Sequence, residues 1–210
     1  MPCVRIAVVY HSGMGHTTRL ARSVAAGAMS IEGSEVAVLP IKREEEPDWA
    51  CLEAADAIIF GTPTYMGGPS ATFKLFQEAT SKRIFASGLQ WRNKLAAGFT
   101  VSASRAGDKL GTLIQLALFA AQHGMHWVNL ALLPGHHSSD GSETDLNRLG
   151  FFLGAAAQAN SDEPPEKAPP QADLETGYHL GARVAALASY VASGRASVGA
   201  ELYPETTNTH

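Results

Sequence analysis

Three short stretches of small and hydroxyl-bearing residues carry the chemistry this sequence offers. The first, His11-Ser12-Gly13-Met14-Gly15-His16-Thr17-Thr18, follows the β-branched run Val4 to Tyr10 and precedes Arg19 to Met29, where Leu20, Val24 and Ala28 recur at helical spacing. A loop between the carboxyl end of a strand and the start of a helix is where anions bind, so the expected ligand carries a phosphate. A triphosphate-binding loop would end in Gly-Lys-Ser/Thr, whereas Gly15 is followed by His16-Thr17. A dinucleotide fingerprint would place a third glycine where Thr18 stands. What remains is either a bare glycine turn or a neutral cradle. In the cradle, Ser12, Gly13, Gly15, Thr17 and Thr18 would surround a terminal phosphomonoester with N–H and O–H donors.

The second stretch, Gly61-Thr62-Pro63-Thr64-Tyr65-Met66-Gly67-Gly68-Pro69, has a backbone stiffened by proline and offers flat or polarizable side chains, as the border of a planar ring would. The third, Ser102-Ala103-Ser104-Arg105-Ala106-Gly107, permits close backbone approach and N–H donation to a ring edge. Small polar residues are common in such loops, so it is their co-occurrence at one sheet edge that points to a single ligand.

Strands and helices must alternate to bring these loops together. Val4 to Tyr10, Glu35 to Leu39, Ala57 to Phe60 (closed by Gly61), Lys94 to Val101 and Trp127 to Leu130 read as strands. Arg19 to Met29, Ser70 to Ser81 and Leu110 to His123 read as helices. This alternation predicts an α/β fold with a parallel sheet covered on both faces. From 134 to 172 the pattern lapses into a long loop region ending in the proline-rich segment 162–170, a stretch expected to form part of a site or a subunit contact. A final helix follows, with Asp173 as its N-cap and Leu174, Tyr178, Gly181, Ala185 and Ala188 on one face. The expected organisation is one domain over 1–193 and a polar tail over 194–210.

Composition excludes several classes. With 16 Lys+Arg against 20 Asp+Glu among 210 residues, the formal charge of −4 supplies no basic footprint for nucleic acid. No apolar run approaches the roughly 20 residues of a membrane span, and no signal peptide precedes the first strand, so a cytoplasmic protein is expected. Cys3 and Cys51 suit partly buried, reduced thiols. His123-x-x-His126 and His136-His137 lack a third ligand at metal-binding spacing, and no metal is expected. Hydrolase chemistry has no Gly-x-Ser-x-Gly elbow. Trp49, Trp91 and Trp127 suit core or interface positions, and Glu44-Glu45-Glu46 a solvated face. The charged fraction of 17%, low for a soluble domain, hints at surface covered by another subunit.

Tyr10 to Arg22, Ala57 to Tyr65, Phe85-Ala86-Ser87-Gly88 and His123-Gly124-Met125, in this order and spacing, resemble the WrbA-type NAD(P)H:quinone oxidoreductases of the flavodoxin-like superfamily. The likeness runs from about Val4 to about Val128. It implies a flavodoxin-like, doubly wound, five-stranded parallel sheet in three α/β/α layers, bound FMN, a homotetramer, and two-electron transfer from NADH or NADPH to a quinone. Carried over by position, Ser12, Met14, Gly15, His16 and Thr17 would hold the FMN phosphate, and Pro63, Thr64, Tyr65 and Met66 would border the ring. Ser102, Ala103, Ser104, Arg105, Ala106 and Gly107 would meet its pyrimidine edge, and Phe85 would lie over it near the nicotinamide or quinone. Gln122 stands where the family places a histidine beside the flavin, and Tyr65 where an arginine is common. Arg105 is a candidate replacement for that lost charge. The competing expectations are a flavodoxin-type electron carrier or regulatory FMN protein, and an FMN reductase from which the flavin departs.

Overall fold

Alternating burial along the strands sets up the layers. In β1 (Val4–Tyr10), Ile6 and Val8 face one side of the sheet and Ala7 and Val9 the other, and all four are buried. The computed structural model describes residues 3–198. On the Ile6 face pack α1 (His16–Met29) and α5 (Gln171–Val198); on the Ala7 face pack α2 (Trp49–Ala54), α3 (Ala71–Thr80) and α4 (Lys109–Gln122). The strands are completed by β2 (Ser34–Pro40), β3 (Ala57–Tyr65), β4 (Gly68–Pro69), β5 (Leu95–Ser102), β6 (His126–Trp127) and β7 (Ala155–Gln158). Their order is β2-β1-β3-β5-β6, with Val8 registered between Val38 and Ile59, and Ile59 beside Ala97. The chain winds outward in both directions from β1 and β3, which leaves a crevice at their carboxyl ends, where the loops lie.

Where five strands were expected, the sheet has seven among the described residues. β4 folds back antiparallel on β3, and the outer edge of β5 takes two separate partners. β6 pairs with Leu95 and Ala96, and β7 with Phe99 to Ser102, so residues 128–154 leave the sheet between two halves of one strand position. The neck of this excursion is tied by Leu130 N–H donating to the Phe152 carbonyl at 2.9 Å. The predicted strand at 127–130 is therefore shorter, and the predicted loop 134–172 contains a strand. Its Ala155-Ala156-Ala157 run has no β-branched residue to announce it; the exposed edge of β5 supplies the reason to pair. β3 runs on to Tyr65 rather than ending at Phe60, and α2 was not anticipated.

Asp173 does not cap α5, which begins two residues earlier; it lies in the first turn, bonded to other segments. Tyr178 turns outward at 41% exposure, whereas Leu174, Ala185 and Ala188 are buried as expected. Gly181 sits against the Val24 carbonyl of α1, where a Cβ would overlap it, so α1 and α5 touch backbone to backbone. α5 continues through Gly194 to Val198; the rest of the expected tail, 199–210, lies outside the described residues. Trp91 is fully buried and Trp49 nearly so, while Cys3 is exposed rather than partly buried. No helix among the described residues is long and apolar enough to cross a membrane.

Candidate functional site

The first loop is shaped by Ser12. Its hydroxyl oxygen accepts from Gly15 N–H at 3.1 Å and Thr18 N–H at 3.3 Å, and the turn passes through Gly15 at φ 90 before α1 begins. Those bonds leave the N–H groups of Met14, His16 and Thr17 with no acceptor among the described residues. Such uncommitted donors at a helix start form an anion site. The His16 ring is committed elsewhere: Nε2–H donates to the Glu163 carbonyl at 2.8 Å.

In the second loop the Thr64 hydroxyl is buried, 2.8 Å from the hydroxyls of both Thr100 and Thr112, which fixes the end of β3 against β5 and α4. Tyr65 reaches over the first loop, its hydroxyl occupying the space a Cβ on Gly13 would need. The Ser70 hydroxyl lies 2.8 Å from His11 Nδ1, and burial pushes the His11 pKa down. In the third loop the Ser102 hydroxyl donates to the Ser104 carbonyl at 3.1 Å, and the Arg105 guanidinium turns away to pair with Glu143 of the excursion. Glu143 also meets Arg148, and the two cations hold its carboxyl down at a pKa of about 2.

All three loops open onto one cavity of about 200 Å³. Met14, His16 and Thr17 line it from the first loop, Pro63, Thr64 and Tyr65 from the second, and Ser102 and Ala103 from the third, with Val101 of β5, not expected there, behind them. Of the expected residues, Ser12 and Gly15 shape the first loop without lining the cavity, and Met66, Ser104, Arg105, Ala106 and Gly107 lie beyond its wall. Ala159 and Ser161 complete the lining and were missed. They follow β7, in a segment that also braces the first loop: Arg19 Nη1 donates to the Pro165 carbonyl at 3.0 Å, and Pro165 packs over Gly15. The signal available was the proline-rich run itself, a stiff support rather than a lining.

Phe85 and Gln122 are placed elsewhere. A single π-helical turn, Ser81–Phe85, extends α3 and carries Phe85 to a second cavity of about 300 Å³, shared with Gln77, Thr80, Phe119, Gln122 and His123. That cavity adjoins the far end of α4, whose 14 residues separate it from the third loop by roughly 20 Å. The Thr80 hydroxyl donates to the Gln77 carbonyl at 2.6 Å, so it accepts from His123 Nε2–H at 2.9 Å. Burial lowers the His123 pKa, and its Nδ1 and the Gln77 Oε1 are buried without partners. Among the described residues no group of three His, Cys, Asp or Glu is placed to hold a metal ion.

A doubly wound parallel sheet with a lysine-free anion loop at its switch point defines a flavodoxin-like protein. Residues 5–138 match the family model described as NADPH-dependent FMN reductase, and the chain belongs to that family. It is 43% identical over 181 residues to a protein of Pseudomonas aeruginosa named flavodoxin FldP, spanning 85% of this chain and 93% of the relative. A protein of Archaeoglobus fulgidus named NAD(P)H dehydrogenase (quinone) is 31% identical over 206 residues, covering 88% of this chain and 97% of its own. The crystal structure of the flavodoxin, WrbA-like protein from Agrobacterium tumefaciens is similar at 41% identity with a TM-score of 0.68, over 89% of this chain and 98% of that one. The chain is thus a WrbA-type, flavodoxin-like member of an FMN-linked oxidoreductase family.

Proposed function

We propose that this chain binds FMN in the three-loop cavity and works as an NAD(P)H:quinone oxidoreductase, moving two electrons from NADH or NADPH to a quinone. The observation that carries the reading is the first loop: uncommitted N–H groups of Met14, His16 and Thr17 around a turn with no lysine, opening into a cavity bordered by Pro63, Thr64 and Tyr65. This donor set fits a terminal phosphate bearing a flat ring. Bound FMN supplies hydride acceptance and onward electron transfer, so the protein need offer no catalytic triad. The remaining tasks fall to its own residues. Thr64, locked by Thr100 and Thr112, keeps the ring border rigid, and the third-loop N–H groups at the start of α4 meet negative charge with the positive end of the helix dipole.

Gln122 at the far end of α4, and Phe85 beside it on the turn after α3, lie too far from the loops to reach a ligand in their own chain's cavity, so their assignment to the flavin requires a second copy. Leu110, Ile114 and Leu118 form an exposed stripe along α4 at 50%, 44% and 61% exposure, a surface suited to burial between copies in a homotetramer. Leu118→Glu is expected to shift the protein toward smaller species in light scattering; a wild type that is monomeric at working concentration ends the tetramer reading.

Anaerobic titration of the FMN-loaded protein with NADH and NADPH, followed by benzoquinone, tests the activity. Rapid bleaching by one nucleotide, reversed by quinone, is the expected result. The 43% likeness to a protein named flavodoxin favours one alternative, an electron carrier; tight FMN with no bleaching by either nucleotide selects it. FMN that elutes away during gel filtration selects the reductase for which flavin is a substrate.

A further inference from the structure

Lys109 is fully buried at the first position of α4, and its ammonium donates to the carbonyls of Ser104 at 2.6 Å, Arg105 at 2.7 Å and, more weakly, Ala106 at 3.5 Å. Across a planar trans peptide the carbonyl and the following N–H point in opposite directions. Carbonyls drawn inward to Lys109 therefore turn the N–H groups of Arg105, Ala106 and Gly107 away from it, and none of these has an acceptor among the described residues. We propose that Lys109 is a positioning residue of the cofactor cleft: it presents this row of donors, which continues the third loop past the Ser102 and Ala103 that line the cavity, to the pyrimidine edge of a flavin extending beyond that cavity, and raises the electron affinity of FMN bound there. The proposal rests on the FMN reading above and assigns a controlling group within it.

Comparison with Lys94 separates this role from helix stabilisation. Lys94 makes the same kind of bonds, to the carbonyls of Leu52, Glu53 and Ala55, but at the carboxyl end of α2, where the helix dipole favours a cation. Lys109 sits at an amino end, where the dipole opposes it, and burial costs it further. A lysine held against both effects concentrates positive potential beneath a row of N–H donors, the arrangement that stabilises charge developing on a reduced ring. The groups facing it across the packing are Asp173 of α5, which supports its charge, and Arg148 of the excursion, which opposes it. Desolvation outweighs both and brings its pKa down to about 8. Lys109 is therefore charged at neutral pH and loses that charge as the pH rises past about 8, which lowers the flavin potential.

The test compares the two-electron midpoint potential of FMN bound to the wild type, Lys109→Met and Lys109→Arg at pH 7 and pH 9.5. At pH 7 the Met variant is expected to lose about tenfold in its preference for reduced over oxidised FMN, about 30 mV for a two-electron couple. The Arg variant should retain most of the wild-type potential, and the wild type and Met variant should converge at pH 9.5. A Met variant that binds FMN at the wild-type potential overturns the proposal, as does an Arg variant as low as Met. Should the Met variant fail to fold, the wild type alone decides: without an added fall in potential above pH 8, Lys109 does not set it. A wild type that takes up no FMN overturns the function itself, an outcome distinct from unchanged potentials.

Discussion

Asp173→Leu is expected to cost about 3–5 kcal/mol of unfolding free energy, the largest loss from any single side chain outside the apolar core. Asp173 is 1% exposed and holds Arg148 through two bonds, Nε to Oδ1 at 2.8 Å and Nη2 to Oδ2 at 3.0 Å. Its Oδ2 also accepts from Gln158 N–H at 2.8 Å. One carboxylate thus joins three segments distant in sequence: the excursion through Arg148, the end of β7 through Gln158, and the first turn of α5. Removing it leaves a guanidinium whose side chain is 5% exposed with only the solvent-facing Glu143 carboxylate and a long contact to Gln158 Oε1, and leaves an N–H at the end of β7 without its acceptor. The attraction within a buried pair is largely offset by desolvation, so the damage comes from the partner left behind. Asp173→Leu combined with Arg148→Met should therefore recover much of the loss. Urea unfolding of both single variants and the double variant decides it: a single-variant loss below about 1 kcal/mol, or no recovery in the double, would show that the pair does not hold this edge. Glu143, which meets the same arginine from solvent, should matter far less to stability, because an exposed carboxylate is readily replaced by water.

The same residue illustrates what could be read from the chain and what could not. Asp173 stands beside a helix start, and sequence reading made it a cap; its partners come from Arg148 and Gln158, and nothing local signals them. The central strands were legible because β1, β3 and β5 are buried on both faces and must be continuously apolar. β7 was not, because a run of alanines has no periodicity and pairs only because β5 leaves an edge open. The three loops were legible as one site because each follows a parallel strand at the same sheet edge, and strand order alone brings them together. The fourth wall, Ala159 and Ser161, depends on the chain returning from an excursion whose path no local pattern encodes. Phe85 and Gln122, each expected beside the flavin, share a second cavity instead, because Gln122 ends α4 and the turn after α3 carries Phe85 to that same end; no local pattern in the sequence encodes that distance from the loops. Lys109 stands one residue before the helix expected over Leu110 to His123 and carries no signal of its own; its burial appears only when the third loop folds over it.

Gly15→Val should weaken FMN binding at least a hundredfold, about 2.7 kcal/mol, while leaving the core folded. Gly15 turns the chain into α1 at φ 90, a conformation a β-branched residue adopts only under strain. A Cβ there would also stand 2.8 Å from Cγ of Pro165. Relief requires the turn to move, and the turn is where the anion donors originate: Gly15 N–H is held by Ser12, and its carbonyl accepts from Arg19 N–H at 3.1 Å as α1 begins. Displacement by even a fraction of an ångström misdirects the N–H groups of His16 and Thr17, and a phosphate that relies on them has no lysine in the loop to fall back on. Gly67→Ala separates strain from site geometry. Gly67 has a similar φ of 82, but a Cβ there meets nothing within 4 Å, so the substitution should lower stability modestly and change FMN affinity only a few-fold. Quenching of FMN fluorescence on titration measures both variants. Equal losses in the two would attribute the effect to general strain, and wild-type affinity in Gly15→Val would remove the phosphate from this loop altogether.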